Sequence, residues 1–148
     1  HIRSGDLLER FINEGLTFDY YVKIIEYYKN KYSLPINILC ESLNTSRHNV
    51  TNKTKTNIDF FIKLKNYCKL NTINIVVGDA KNDVLRDFIE LTKYKYLFLS
   101  GSSFSHNSLP LNIHKNIIAE KKVIKSRSNL LNNIELLPNV TLLDIENF

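Results

Sequence analysis

Apolar residues recur along this chain in two alternating rhythms. Phe18, Tyr21, Val22, Ile25 and Tyr28 fall three or four apart, the spacing of one helix face, and predict a helix from about Phe18 to Lys31. Pro35 closes that segment, and Ile36-Asn37-Ile38-Leu39-Cys40 then reads as a short buried strand. The polar stretch from Ser42 to Asn57 reads as loop, followed by a helix carrying Ile58, Phe61, Ile62 and Leu64. The β-branched run Ile73-Asn74-Ile75-Val76-Val77, bounded by Gly78-Asp79, predicts a second strand. A helix carrying Val84, Leu85, Phe88 and Leu91 leads to a third strand, Tyr96-Leu97-Phe98-Leu99. Beyond Ser100–Ser105 the pattern predicts a less regular helical stretch over Leu111–Glu120, a short strand at Val123-Ile124 and a final strand at Val140-Thr141-Leu142-Leu143.

Strands separated by helices of this length imply crossover connections and a parallel α/β sheet covered on both faces. In such sheets ligands bind beyond the carboxyl ends of the strands. Four segments fall at that edge: His1–Asp6, Glu41–Asn44, Gly78–Asp83 and Ser100–Ser105.

Composition changes this picture little. A chain of 148 residues with 43% hydrophobic and 24% charged residues is ordinary for one globular domain, and no stretch reaches the roughly 18–20 apolar residues of a membrane-spanning helix. The net charge of +5 favours anionic ligands. Its lysines are spread along the helices rather than gathered in a tail, which argues against nucleic acid as the partner. Cys40 and Cys68 sit inside apolar segments, where buried free thiols are the rule, and His1, His48, His106 and His114 have no metal-ligand spacing. The four Asn-x-Ser/Thr sequons follow from an Asn-rich composition, and the paired tyrosines of the first helix read as packing. Because the chain opens on a polar turn with no Met, it reads as a fragment lacking an upstream strand.

Candidate chemistry begins with His1-Ile2-Arg3-Ser4-Gly5-Asp6. Arg3 offers a planar, permanently charged fork suited to a diphosphate, and Asp6 can orient it; the plainer reading is a surface turn with an Arg–Asp pair. Ser100-Gly101-Ser102-Ser103-Phe104-Ser105 follows a strand with small hydroxyl residues that let backbone N–H groups approach a phosphate, or that cap a helix. Glu41 could meet a ribose, brace Arg3 or be a solvated strand-end carboxylate. Asp79 and Asp83 form no Asp-x-Asp triplet and read as helix caps rather than metal ligands.

The opening segment resembles the first signature motif of the α1,2-, α1,6- and protein O-fucosyltransferases, His-x-Arg-Arg-x-Asp. His1, Arg3 and Asp6 match, and Ser4 replaces the second Arg. An Asp in a helix, then an apolar strand, then a Ser-Ser/Thr-Phe-Ser turn is similar to the family at the interval from Asp87 to Ser105. The resemblance implies a Rossmann-like donor-binding domain spanning residues 1–148, the C-terminal half of a GT-B glycosyltransferase, with an acceptor domain upstream. It implies a metal-independent inverting transfer from a nucleotide sugar, GDP-fucose above all, to a glycan or glycoconjugate hydroxyl. Arg3 would meet the β-phosphate, His1 the nucleotide, Asp87 the guanine, and Ser102, Ser103 and Phe104 the phosphate turn, with Glu41 in an acidic segment after a strand. The alternative is a non-catalytic Rossmann-like module binding a nucleotide or glycan. The compartment expected is cytoplasmic or membrane-peripheral for a bacterial source and the Golgi or ER lumen for a eukaryotic one.

Overall fold

A computed structural model of the chain describes residues 2, 12–13, 15–41, 46–47, 50–51, 54–78, 84–99, 104, 107–108, 116–120 and 139–143. They form a mixed α/β structure that divides into two compact units, Ile2–Asp83 and Val84–Phe148.

In the first unit, α1 spans Phe18–Tyr32 and α2 spans Lys55–Leu70. Each starts on a threonine whose hydroxyl accepts from a first-turn helix N–H: Thr17 from Tyr20 at 3.3 Å, and Thr54 from Asn57 at 3.2 Å. Ser33 ends α1 in the left-handed region with φ 49°. Asn71 ends α2, its side-chain amide donating to the Tyr67 carbonyl at 3.0 Å. Gly15, at φ 91°, makes the turn ahead of α1 and donates its N–H to the Ile12 carbonyl at 2.9 Å.

Strand β1 (Asn37–Glu41) pairs in parallel with β4 (Asn74–Gly78), Asn37 level with Asn74 and Glu41 level with Gly78. A parallel bridge from Ile2 to Cys40 adds a further position on β1, with the Ile2 N–H donating to the Leu39 carbonyl at 2.8 Å. The polar stretch expected to be loop holds a small antiparallel pairing of β2 (Ser46–Arg47) with β3 (Val50–Thr51), and α2 begins within its predicted limits. Alternating Thr, Val and Arg suffice for so short a ladder, although no apolar alternation marks it.

The core of this unit is Tyr21, Ile24 and Ile25 from α1, Ile38–Cys40 from β1, and Phe60, Leu64 and Cys68 from α2. Phe18 and Tyr21 meet Phe60 edge to face, with ring centroids 6.2 and 5.9 Å apart. Phe18 also meets Tyr67 at 6.1 Å. The inward stripe of α2 is thus Asn57, Phe60, Leu64 and Cys68; of the four residues that marked this helix in the sequence Leu64 lies on it, whereas Ile62 is 51% exposed. Helix α2 is apolar on neighbouring stripes, and its pairing with Phe18 and Tyr21 selects the one that turns inward. Cys40 and Cys68 are both buried free thiols, and burial pushes the Cys68 thiol above its ordinary range.

The second unit contains α3 (Val84–Thr92) and a three-stranded parallel sheet of β5 (Tyr96–Leu99), β6 (Asn116–Glu120) and β7 (Val140–Leu143), with β6 in the middle. The helix predicted over Leu111–Glu120 is corrected here: its last five residues are the central strand. Ile113, Ile117 and Ile118 mimic helical spacing. A strand flanked on both edges, however, buries consecutive side chains on opposite faces, and Ile117 and Ile118 are 2% and 0% exposed. Leu91 and Leu97 complete this core. Val123-Ile124, also predicted as a strand, lies outside the described residues.

Leu64→Ala should lower the free energy of unfolding by about 2–5 kcal/mol, because the fully buried side chain leaves a cavity among rings. Ile62→Ala, two residues away and exposed, should change it by no more than about 0.5 kcal/mol. Denaturant titration of the two variants checks the assignment of the inward face.

Candidate functional site

A parallel sheet gathers its chemistry at the carboxyl ends of the strands, because the loops there are held by the strands behind them. In the first unit this edge is marked by Glu41 level with Gly78, one position beyond the Cys40 that bridges Ile2. The bridge is parallel, so the chain leaves Ile2 in the same direction as β1 leaves Glu41. His1, Arg3 and Asp6 lie outside the described residues, as do Asp79 and Asp83. Glu41 is described as a strand position only.

In the second unit the sequence candidates are Asp87, Ser102, Ser103 and Phe104. Asp87 lies in the first turn of α3, where the positive end of the helix favours a carboxylate. Its side chain is 21% exposed, with Arg86 Nη2 at 3.6 Å from Oδ1. That contact is between sequence neighbours, with Arg86 52% exposed, so it contributes little to stability. Ser102 and Ser103 lie outside the described residues.

Phe104 is described, and its ring meets Phe88 edge to face with centroids 5.7 Å apart. Phe88 follows Asp87 directly, so this contact joins the segment carrying the acid to the one carrying the serine turn. Sequence reasoning counted Phe88 as a helix-face residue and missed this role. The signal available was an aromatic next to each candidate polar group, and it reads as ordinary core until the two segments are brought together. Ser108, a few residues on, is fully buried.

The C-terminal end of α3 is fixed by charge. Glu90 accepts from the Lys93 ammonium at 2.8 Å through Oε2 and from the Tyr94 hydroxyl at 2.8 Å through Oε1. The Lys93 bond, then the Tyr94 bond, holds the Glu90 carboxyl below its ordinary range. Burial, reinforced by the bond to Glu90, pushes the Tyr94 phenol up to about 12. These residues orient the helix end that leads into β5.

Among the described residues, no three His, Cys, Asp or Glu side chains come together as a set of metal ligands. No described helix is long and apolar enough to cross a membrane. Compared with family models, with curated proteins and with solved structures, the chain finds no match in any of the three.

Two measurements probe this unit. A double-mutant cycle of Phe88→Leu and Phe104→Leu should give a coupling of about 0.5–1.5 kcal/mol by denaturant unfolding. A coupling near zero would mean that the two segments are not joined by these rings. For Glu90, a lowered folded pKa makes a contribution that is present above the usual glutamate range and is lost as pH falls through the folded value. Glu90→Gln should therefore give a shallower fall in Tm between neutral and acid pH at low salt than the unaltered chain.

Proposed function

We propose that this chain is the donor-binding domain of a glycosyltransferase, with a Rossmann-like GT-B fold, and that its donor is a nucleotide sugar, most simply GDP-fucose. The observation that supports this best is the parallel bridge from Ile2 to Cys40, because it sets the residue before Arg3 beside the strand that ends in Glu41. Nucleotide folds use diphosphate-binding motifs at the carboxyl ends of parallel strands, and Ile2 pairs with β1 one position before its end. The contact of Phe88 with Phe104 supports the second half of the reading, since it links the Asp87 helix to the serine turn.

The reaction is an inverting displacement. The acceptor hydroxyl oxygen forms a bond to the anomeric carbon as the bond from that carbon to the β-phosphate oxygen breaks. The hydroxyl proton passes to a base outside this set of residues, and the nucleoside diphosphate leaves with the bonding pair. Negative charge grows on the β-phosphate during this step, so a guanidinium at Arg3 stabilises the transition state more than the bound donor. His1 and Asp6 hold the nucleotide and orient Arg3, and the hydroxyls and backbone amides of Ser102 and Ser103 take the phosphates. Asp87 selects guanine through its paired N–H edge. The partners are a nucleotide sugar and a glycan acceptor, with no metal or other cofactor in the transfer. One feature favours the non-catalytic reading: Ser4 stands where the family motif carries a second Arg.

Calorimetric titration of the full protein with GDP, using UDP, ADP and CMP as controls, tests the donor class. Selective binding of GDP that is lost in both Asp87→Ala and Arg3→Ala is the expected result, and equal or absent binding of all four nucleotides would overturn it. Arg3→Ala should also lower turnover of the intact enzyme by roughly a hundredfold or more. Near-normal turnover in that variant would remove Arg3 from the mechanism, and selective GDP binding with no turnover in the unaltered protein would favour the non-catalytic module.

A further inference from the structure

At the other end of the first unit, β1 and β4 begin side by side, with Asn74 Nδ2 donating to Asn37 Oδ1 at 2.7 Å. The turns that leave α1 and α2 arrive here together, because Lys29 Nζ donates to Asn71 Oδ1 at 3.1 Å. Each turn presents a leucine to solvent: Leu34 is 48% exposed and Leu70 is 84% exposed. Over Glu26–Asn37 and Lys63–Asn74 there are five lysines (Lys29, Lys31, Lys63, Lys65, Lys69) and one carboxylate, Glu26. Glu26 is already taken by the Tyr67 hydroxyl and by Lys29 at 3.6 Å. Two partly buried tyrosine rings border the same end, Tyr27 and Tyr32, with the Lys31 ammonium 5.1 and 5.4 Å from their centroids and donating to the Tyr27 hydroxyl at 2.6 Å.

Lysines in the last turns of helices complement the helix dipole, which accounts for Lys29, Lys31 and Lys69 taken alone. It does not account for a leucine on each of two adjoining turns, contributing nothing to the core. Leucine tips, tyrosine rings and ammonium groups together match the boundary of an anionic bilayer. Apolar tips enter the headgroup region, phenol rings lie at its level, and ammonium groups meet lipid phosphates. A nucleic acid would use the lysines but has no place for the leucines. We propose that this end of the first unit, built from the Leu34 and Leu70 turns and the lysines of the last helical turns, Lys29, Lys31 and Lys69, docks reversibly on an anionic lipid surface. The five residues of β1 put the opposite end, where Ile2, Glu41 and Gly78 lie, on the order of 15 Å away along the strands. Docking therefore leaves the carboxyl ends of these strands turned away from the lipid, and the inference stands whatever donor they serve.

Flotation of the full chain with vesicles of phosphatidylcholine alone, or with one third phosphatidylglycerol, tests it. Binding is expected to the mixed vesicles only, and to disappear in high salt. Lys31→Ala with Lys69→Ala should weaken partitioning roughly 25-fold, about fivefold per lysine. Leu34→Ser with Leu70→Ser should weaken it as well, with unchanged circular dichroism because both side chains lie outside the core. Failure to float with the mixed vesicles overturns the proposal. So does binding that the leucine pair does not affect, which would reduce it to general basicity. Self-association in the absence of lipid that the leucine pair abolishes also overturns it, by making the face a contact between copies of the chain.

Discussion

The parallel ladder between β1 and β4 is the constraint on which the first unit depends. Parallel strands cannot be joined by a tight turn, so the chain must run back along the sheet before it can pair again. Helix α2 makes that return between β1 and β4, and α1 lies between the Ile2 bridge and β1. Both helices therefore end where strands begin, which is why the Leu34 and Leu70 turns meet at one end. The carboxyl ends of the strands, level at Glu41 and Gly78, are gathered at the other. One pairing pattern thus sorts the unit into a lysine- and leucine-bearing end and an end suited to ligand chemistry.

The helices are held to one another by a polar seam as well as by rings. Tyr67 donates to Glu26, Lys29 bonds Asn71, and the edge-to-face contacts of Phe18, Tyr21 and Phe60 fill the space between. Burial pushes the Tyr21 phenol well above its ordinary range. The second unit is organised differently, around a central strand whose Ile117 and Ile118 are covered on both faces. There Phe88 of α3 meets Phe104, which follows β5 in the chain, edge to face.

Much of the element order was legible in the residues. The helix from Phe18, the strands at Tyr96–Leu99 and Val140–Leu143, and the helix from Val84 all announce themselves through period, caps and flanking turns. The inward face of α2 was not legible, because Ile58, Phe61 and Ile62 offer an apolar stripe as good as Phe60, Leu64 and Cys68. Nor was β6, since isoleucines at 113 and 117 fit a helix as well as a strand. The small β2–β3 ladder escaped because it carries no apolar alternation. For the candidate site, the sequence offers the chemistry of Arg3, Asp87 and the serine turn. It gives no hint that Ile2 belongs to the β1 sheet or that Phe104 meets Phe88.

Local physical chemistry explains that division. Where a segment begins, what caps it and whether it repeats every two residues or every three to four are properties of neighbours in the chain, so the sequence by itself determined them. A helix with two apolar stripes, or an isoleucine pair that fits either period, is degenerate at that level. Only contact with distant residues lifts the degeneracy, by burying one alternative and exposing the other. The tertiary structure alone therefore decided that Phe60 faces Phe18 and Tyr21, that Ile117 and Ile118 form a central strand, and that Ile2 pairs beside Cys40.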